Sequence, residues 1–418
     1  MQSAKGASTR RVRALATAAM VVMLVPAFFL LHRGLQSYPQ LIYPPGPDQI
    51  NYLNEAPDFE NHLLVDPKAP LYTVWFGLFY SVNRDLRWQF YAERIASIFL
   101  LSVLVAFLGR RLFDLRTGLF LGFWTLNCKY LVLEPNGTNA LAASMFVAAA
   151  LCLTSKRENL RWPAAVFFLF LSSLSRPEMM VPLGLALVYL AWKAFGWFRS
   201  QRRKAGSLLP ANWYHCSAIL VIVSAITAFV KTHSNPVAPW STSYAFFTAF
   251  AVNYIRRNNL FQQYPDAWLF TPQIIHKVMP NVTEPVSPLA SPLRGIVQAW
   301  KLYPQECLYN TFYNVKVSII TLPAIALGWQ SRILMFVATV VWVGSYFLVR
   351  GSNRENFKRT PATVWRDLLI QSVAGSSLIA VSIFFLVLWR YYLPLLPVML
   401  IAAAYLVHRG LGFIPVRE

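Results

Sequence analysis

The sequence predicts an all-α fold, a polytopic bundle of transmembrane helices, and three observations carry that prediction. Of its 418 residues 56% are hydrophobic and only 13% charged, with a mean hydropathy of +0.43, which is too apolar for a soluble domain of this size. The apolar residues gather into runs approaching the roughly 20 that cross about 30 Å of hydrocarbon at about 1.5 Å per residue. The basic residues behind the net charge of +21 fall in short clusters between those runs, so they read as topology signals and not as a nucleic-acid surface. About 9–12 spans are expected.

The first run, Ala14 to Leu31, follows Arg10, Arg11 and Arg13 with no small-residue cleavage site after it, and reads as a retained span with its N-terminus in the cytoplasm. Residues 36–89 then form a first external loop that carries Asp48, Glu55, Asp58, Glu60 and Asp66. Further spans are expected at Phe90 to Leu108, Gly118 to Leu133, Ala140 to Thr154, Pro163 to Leu174, Val181 to Phe195 and Ser217 to Val230. Ile333 to Val349, Leu368 to Leu388 and Tyr392 to Val407 complete the series.

Lys and Arg near span ends are retained on the cytoplasmic side. Arg110, Arg111 and Arg116, then Lys156, Arg157 and Arg161, Arg199 to Lys204, Arg350 to Arg366, and Arg409 make one consistent cytoplasmic set. The first loop, the Glu134 turn, the Ser175 to Glu178 turn and Arg390 then fall on the opposite face. Residues 1–231 read as an N-terminal transmembrane core and 331–418 as C-terminal transmembrane helices. Residues 232–330, Pro-rich and holding Trp268 and Trp300, read as an extracytoplasmic cap or a partly embedded region, with the cap preferred.

Cys128, Cys152, Cys216 and Cys307 are scattered without metal-ligand spacing, so neither a disulfide framework nor a zinc site is indicated. No matching halves of the kind common in alternating-access transporters are visible.

Five places could carry chemistry. Asp48, in PGPDQINY, stands where a rigid approach meets the bilayer and suits a general base or a helix N-cap. Lys68, before APLY, is a cation placed for a phosphate or a headgroup where the loop returns. Glu134, in VLEPNGT, is a carboxylate at a span end, where it needs water, a cation or a partner. A divalent metal ion is a candidate cofactor, with Asp48 and Glu134 the residues to take it. Arg176 and Glu178, in SRPE, either neutralise each other at a turn or meet a substrate. Arg390 with Tyr391, in LWRYYLPLLP, suits an anionic headgroup or an interfacial anchor.

Together these residues resemble the GT-C superfamily of polyprenyl-phosphate-sugar-dependent glycosyltransferases, in the branch of protein O-mannosyltransferases and aminoarabinose transferases. The resemblance rests on Asp48 to Tyr52, on KAPLY at Lys68 to Tyr72, on ERIASIFLLSVLVAFLGRRLFDLRTGL, on SRPE and on RYYLPLLP. It implies a GT-C bundle with a helical first extracytoplasmic loop, in a cell-envelope membrane such as the bacterial plasma membrane. It further implies Asp48 as the base toward an acceptor glycan, lipid or protein, and a donor phosphate held by Lys68, Arg176, Arg390 and Tyr391. Glu134, Asn139 or Glu178 would be the second acid or polar partner; where Asn139 matches, the second carboxylate is missing. The alternatives are a lipid or polysaccharide transporter or flippase, and a non-catalytic membrane scaffold.

Overall fold

A computed structural model describes residues 2–36, 69–134, 137–201, 212–233, 252–264, 297, 300–349, 361–384 and 389–411. Among them the chain is all-helical, with no sheet beyond a single β-bridge. Among the described residues three helices are long and apolar enough to cross a membrane: Ala14–Gln36, Arg87–Leu112 and Tyr392–Gly410. Shorter apolar helices run Thr138–Leu153, Leu160–Ser175, Pro177–Trp192, Leu220–His233 and Arg332–Phe347. The chain divides into two compact units, one of Met1–Ser234, Ile325–Ser377 and Tyr392–Glu418, the other of Asn235–Ala324 and Leu378–Tyr391.

In the larger unit, α1 (Gln2–Gln36) lies against α4 (Leu115–Leu126) and α11 (Arg332–Val349). After the first loop, α2 (Pro70–Val82) opens with Pro70 at its first position, where the missing N–H costs nothing. Tyr72 and Phe76 bury its inner face with Phe90 and Leu141. α3 (Leu86–Leu112) starts at Asp85, whose side chain accepts from Trp88 N at 2.8 Å, and ends with Arg110 and Arg111 against the negative end of its dipole. Asp114 caps α4 in the same way, accepting from Thr117 N at 2.8 Å. The two helices approach so closely that a Cβ on Gly118 would lie 2.8 Å from Arg110 N.

The apolar run from Gly118 to Leu133 is not one span. It breaks after Leu126 and resumes as the single turn α5 (Lys129–Leu133). The break is filled from far along the chain. Lys129 N donates to Gly328 O and Gln330 N to Asn127 O, both at 2.8 Å, around a Cys128–Trp329 bridge, while Asn127 Nδ2 reaches Ser331 O at 3.0 Å. Polar backbone freed by a helix break must find partners inside the protein.

α6 (Thr138–Leu153), rich in alanine, packs on α3 and on α7 (Glu158–Ser175), with Ser172 Oγ donating to Ala142 O at 2.8 Å. α8 (Met180–Gln201) and α9 (Asn212–His233) flank α7. α10 (Pro304–Leu327) leads to the 328–331 crossing, and α12 (Ala362–Phe384) reaches Phe146 O through Gln371. α13 (Leu396–Gly410) ends beside α4, where Asp114, Arg116, Thr117, Tyr346 and His408 interlock. There Arg116 pairs with Asp114 at 3.0 Å, Tyr346 OH donates to Asp114 at 2.6 Å, and Thr117 Oγ1 meets His408 Nε2 at 2.9 Å. Burial pushes the Asp114 carboxyl up, but Arg116 and the cap hydrogen bonds hold it below the usual range.

In the smaller unit, Asn253 Nδ2 bonds Asn310 Oδ1 at 2.7 Å and Asn314 Oδ1 at 3.1 Å, and Arg257 pairs with Glu306.

Candidate polar centre

Four pieces of the chain meet away from the Asp114 network: the start of α2, the end of α5, the start of α6 and the turn between α7 and α8. Each delivers polar side chains for a local reason. Glu134 is the cap residue after α5, one residue past the apolar turn. Asn139 stands in the first turn of α6, where it turns two donors on Glu134 Oε1: its backbone N at 3.1 Å and its Nδ2. Arg176 follows the last residue of α7, because Pro177 forbids the helix to continue through it. Its Nη1 reaches Thr138 Oγ1 at 3.4 Å, and its Nη2 pairs with Glu178 at 3.1 Å.

Glu134 is 1% exposed, and burial raises its carboxyl to about 7; the Arg176 charge, the Asn139 hydrogen bonds and Arg94 oppose that rise. Its second oxygen, Oε2, has no hydrogen-bond partner. Arg176 is 14% exposed and Glu178 32%, so this pair forms the open edge.

Beneath lie the eighth and ninth residues of α3. Glu93 is 0% exposed and accepts from Ser97 Oγ at 2.8 Å, with the Tyr72 hydroxyl and the Gly137 amide also bonded to it. Arg94, 1% exposed, donates through Nη2 to Val132 O. A Cβ on Gly137 would fall 2.8 Å from the Glu93 carboxyl carbon, so only glycine fits.

The chain has no counterpart among family models, curated proteins or solved structures compared with it. Its chemistry therefore rests on geometry and residue type.

Of the residues singled out by the sequence, Glu134, Asn139, Arg176 and Glu178 come together. Glu134 and Asn139 are hydrogen-bonded neighbours, so they share one position in space. Asp48 and Lys68 lie outside the described residues. Arg390 and Tyr391 open the Trp389–Leu395 3-10 turn in the other unit, and their side chains are outside the described set. Glu93, Arg94 and Gly137 were not singled out. The signal for the first two was present, because an acid and a base inside an 18-residue apolar window need a reason.

The surroundings of Glu134 do not suit a divalent cation. Both Asn139 donors fall on one of its oxygens, and the charges acting on it are the guanidiniums of Arg176 and Arg94. No group of three or more His, Cys, Asp or Glu side chains gathers among the described residues. The Arg176 guanidinium at a half-open edge suits an anion such as a phosphate.

Proposed function

We propose that this protein is an integral-membrane glycosyltransferase of GT-C type, moving a sugar from a polyprenyl-phosphate carrier to an acceptor at the extracytoplasmic face. One observation carries the reading. The buried Glu134–Arg176 centre stands at the end of the bundle where α1 ends, with Gly34 against Val132, and where α2 begins, with Tyr72 against Gly137. Residues 37–68, which hold Asp48 and Lys68, separate those two helices in the sequence. Exposed Phe28, Phe29, Phe99, Phe107 and Leu406 on the longest helices support a lipid surround.

In this reading Asp48 takes the proton of the acceptor hydroxyl as its oxygen attacks the anomeric carbon. The bond from that carbon to the phosphate oxygen breaks, and the polyprenyl phosphate leaves with the electron pair. Lys68 and Arg176 offset the negative charge that grows on that phosphate. Glu134 keeps Arg176 oriented by its charge, and Asn139 fixes the rotamer of Glu134. A donor that arrives laterally through the bilayer requires no nucleotide-binding loop.

The test is Asp48→Asn in membranes given radiolabelled polyprenyl-phosphate hexoses and pentoses. Loss of the base lowers transfer by about 10²- to 10⁴-fold with the protein still folded. Undiminished transfer by the variant rejects Asp48 as base. A wild-type protein that moves such lipids between leaflets without cleaving them is a flippase instead.

A further inference from the structure

Glu93 and Arg94 take no part in the transfer just described, yet the apolar helix around them makes their presence costly. An ion moved from water into such surroundings costs several kcal/mol unless its partners compensate. No ion pair joins the two, since consecutive helical residues do not face one another, and the charge of each only partly offsets the burial of the other.

Their partners come from the turn around Glu134. Arg94 holds the carbonyl of Val132, two residues before Glu134. Glu93 holds the amide of Gly137, three residues after it, together with Tyr72 from α2. Adjacent residues of one helix thus bracket both flanks of that turn. From the Gly137 flank the chain passes directly to Thr138, which meets Arg176, and to Asn139, which fixes Glu134 Oε1. Ser97 and Trp75 brace the bracket from behind, with Trp75 Nε1 on Ser97 Oγ at 2.9 Å and Ser97 Oγ on Glu93. Gly137 completes the fit, since any side chain there would displace the Glu93 carboxyl.

We propose that Glu93 and Arg94 are positioning residues for the transfer reaction, holding the Glu134 carboxylate at a fixed distance from the Arg176 guanidinium. This rests on the glycosyltransferase reading and extends it inward to a pair that touches no substrate. A loosened bracket leaves donor binding at the open edge in place and spoils the alignment needed when charge develops on the leaving phosphate.

The experiment is a double-mutant cycle in membranes, with kcat and donor KM measured using the radiolabelled polyprenyl-phosphate sugar that the wild type accepts. Glu93→Gln keeps shape and an acceptor for Ser97. It lowers kcat about tenfold with donor KM changed less than about twofold, and costs less than about twofold in a Glu134→Gln background, because a residue that acts through another loses its effect when that other is removed. Equal costs in both backgrounds, or a loss carried by KM, overturn the proposal. Where Glu93→Gln does not fold, Tyr72→Phe removes one hydroxyl from the bracket and carries the same cycle with the same two outcomes. A wild-type protein that transfers no sugar sinks the glycosyltransferase reading and this inference with it, whereas multiplicative costs in an active enzyme sink the inference alone.

Discussion

At Gly137 a hydrogen atom stands where a side chain would meet a buried carboxylate. Gly137→Ala must move either Glu93 or the turn, and overpacking of this kind costs about 1–3 kcal/mol, seen as a lower thermal midpoint in detergent. Gly184→Ala is the control. Nothing lies within 4 Å of a Cβ there, and in mid-helix alanine is favoured over glycine by up to about 1 kcal/mol, so that variant holds or gains stability. Glu134 gives a second test at this scale. Its carboxyl is raised from 4.5 to about 7, so the folded chain holds a proton that the unfolded chain has released. Stability from this group is full below pH 4.5 and falls as pH rises toward 7, a change of up to roughly 3 kcal/mol at about 1.4 kcal/mol per unit. Glu134→Gln should flatten the decline of thermal midpoint between pH 5 and about 7.5; an equally steep decline in the variant would assign it to another group.

Among elements, α3 and α4 show what a sequence discloses and what it hides. The Asp85 cap, the Arg110–Arg111 end and the Asp114 restart are local, and each is legible from charge beside an apolar run. Asp114 also anchors α11 through Tyr346, and Thr117, whose amide it caps, anchors α13 through His408. Asp114→Ala therefore removes a cap and leaves the buried Arg116 without its carboxylate, a loss of about 3 kcal/mol or more in denaturant unfolding. Because that carboxyl is held low, its contribution is present at neutral pH and disappears in acid, as pH falls through the depressed value. The break at Asn127 was not legible. Hydropathy averages over Gly118 to Leu133 and sees a single span, whereas the partners that make a break affordable lie at 328–331. Glu93 and Arg94 are hidden for a related reason: the apolar run around them dilutes two charges, although two charges that close demand partners. Glu134, Arg176 and Glu178 are legible because each sits at a span end beside Pro, where side chains of that type have work to do, whereas Asn139 stands out only through the family resemblance.

For the whole molecule, the alternation of basic clusters predicted two opposed polar faces. The larger unit gathers the Glu134 centre at one end of α3 and the Asp114 network at the other. If the long helices cross a bilayer, exposed residues near these ends label from opposite sides. Asn83→Cys should react with a membrane-impermeant maleimide in intact cells, and Arg157→Cys only after lysis; the reverse pattern would turn the protein over and place the proposed site in the cytoplasm.

The crossing at Asn127 and Gln330 carries a consequence for how the chain is made. Its two stretches of chain lie 204 residues apart, and of the polar groups at the gap after α4, Leu126 O, Asn127 O and Lys129 N are closed by the later partner. During synthesis, residues 115–133 must wait with that gap open until residue 331 has emerged. The N-terminal half is therefore a dependent of its own C-terminal part. A ribosome stalled ahead of Gly328 would leave a product that quality control recognises by its open backbone, however well its first helices have inserted.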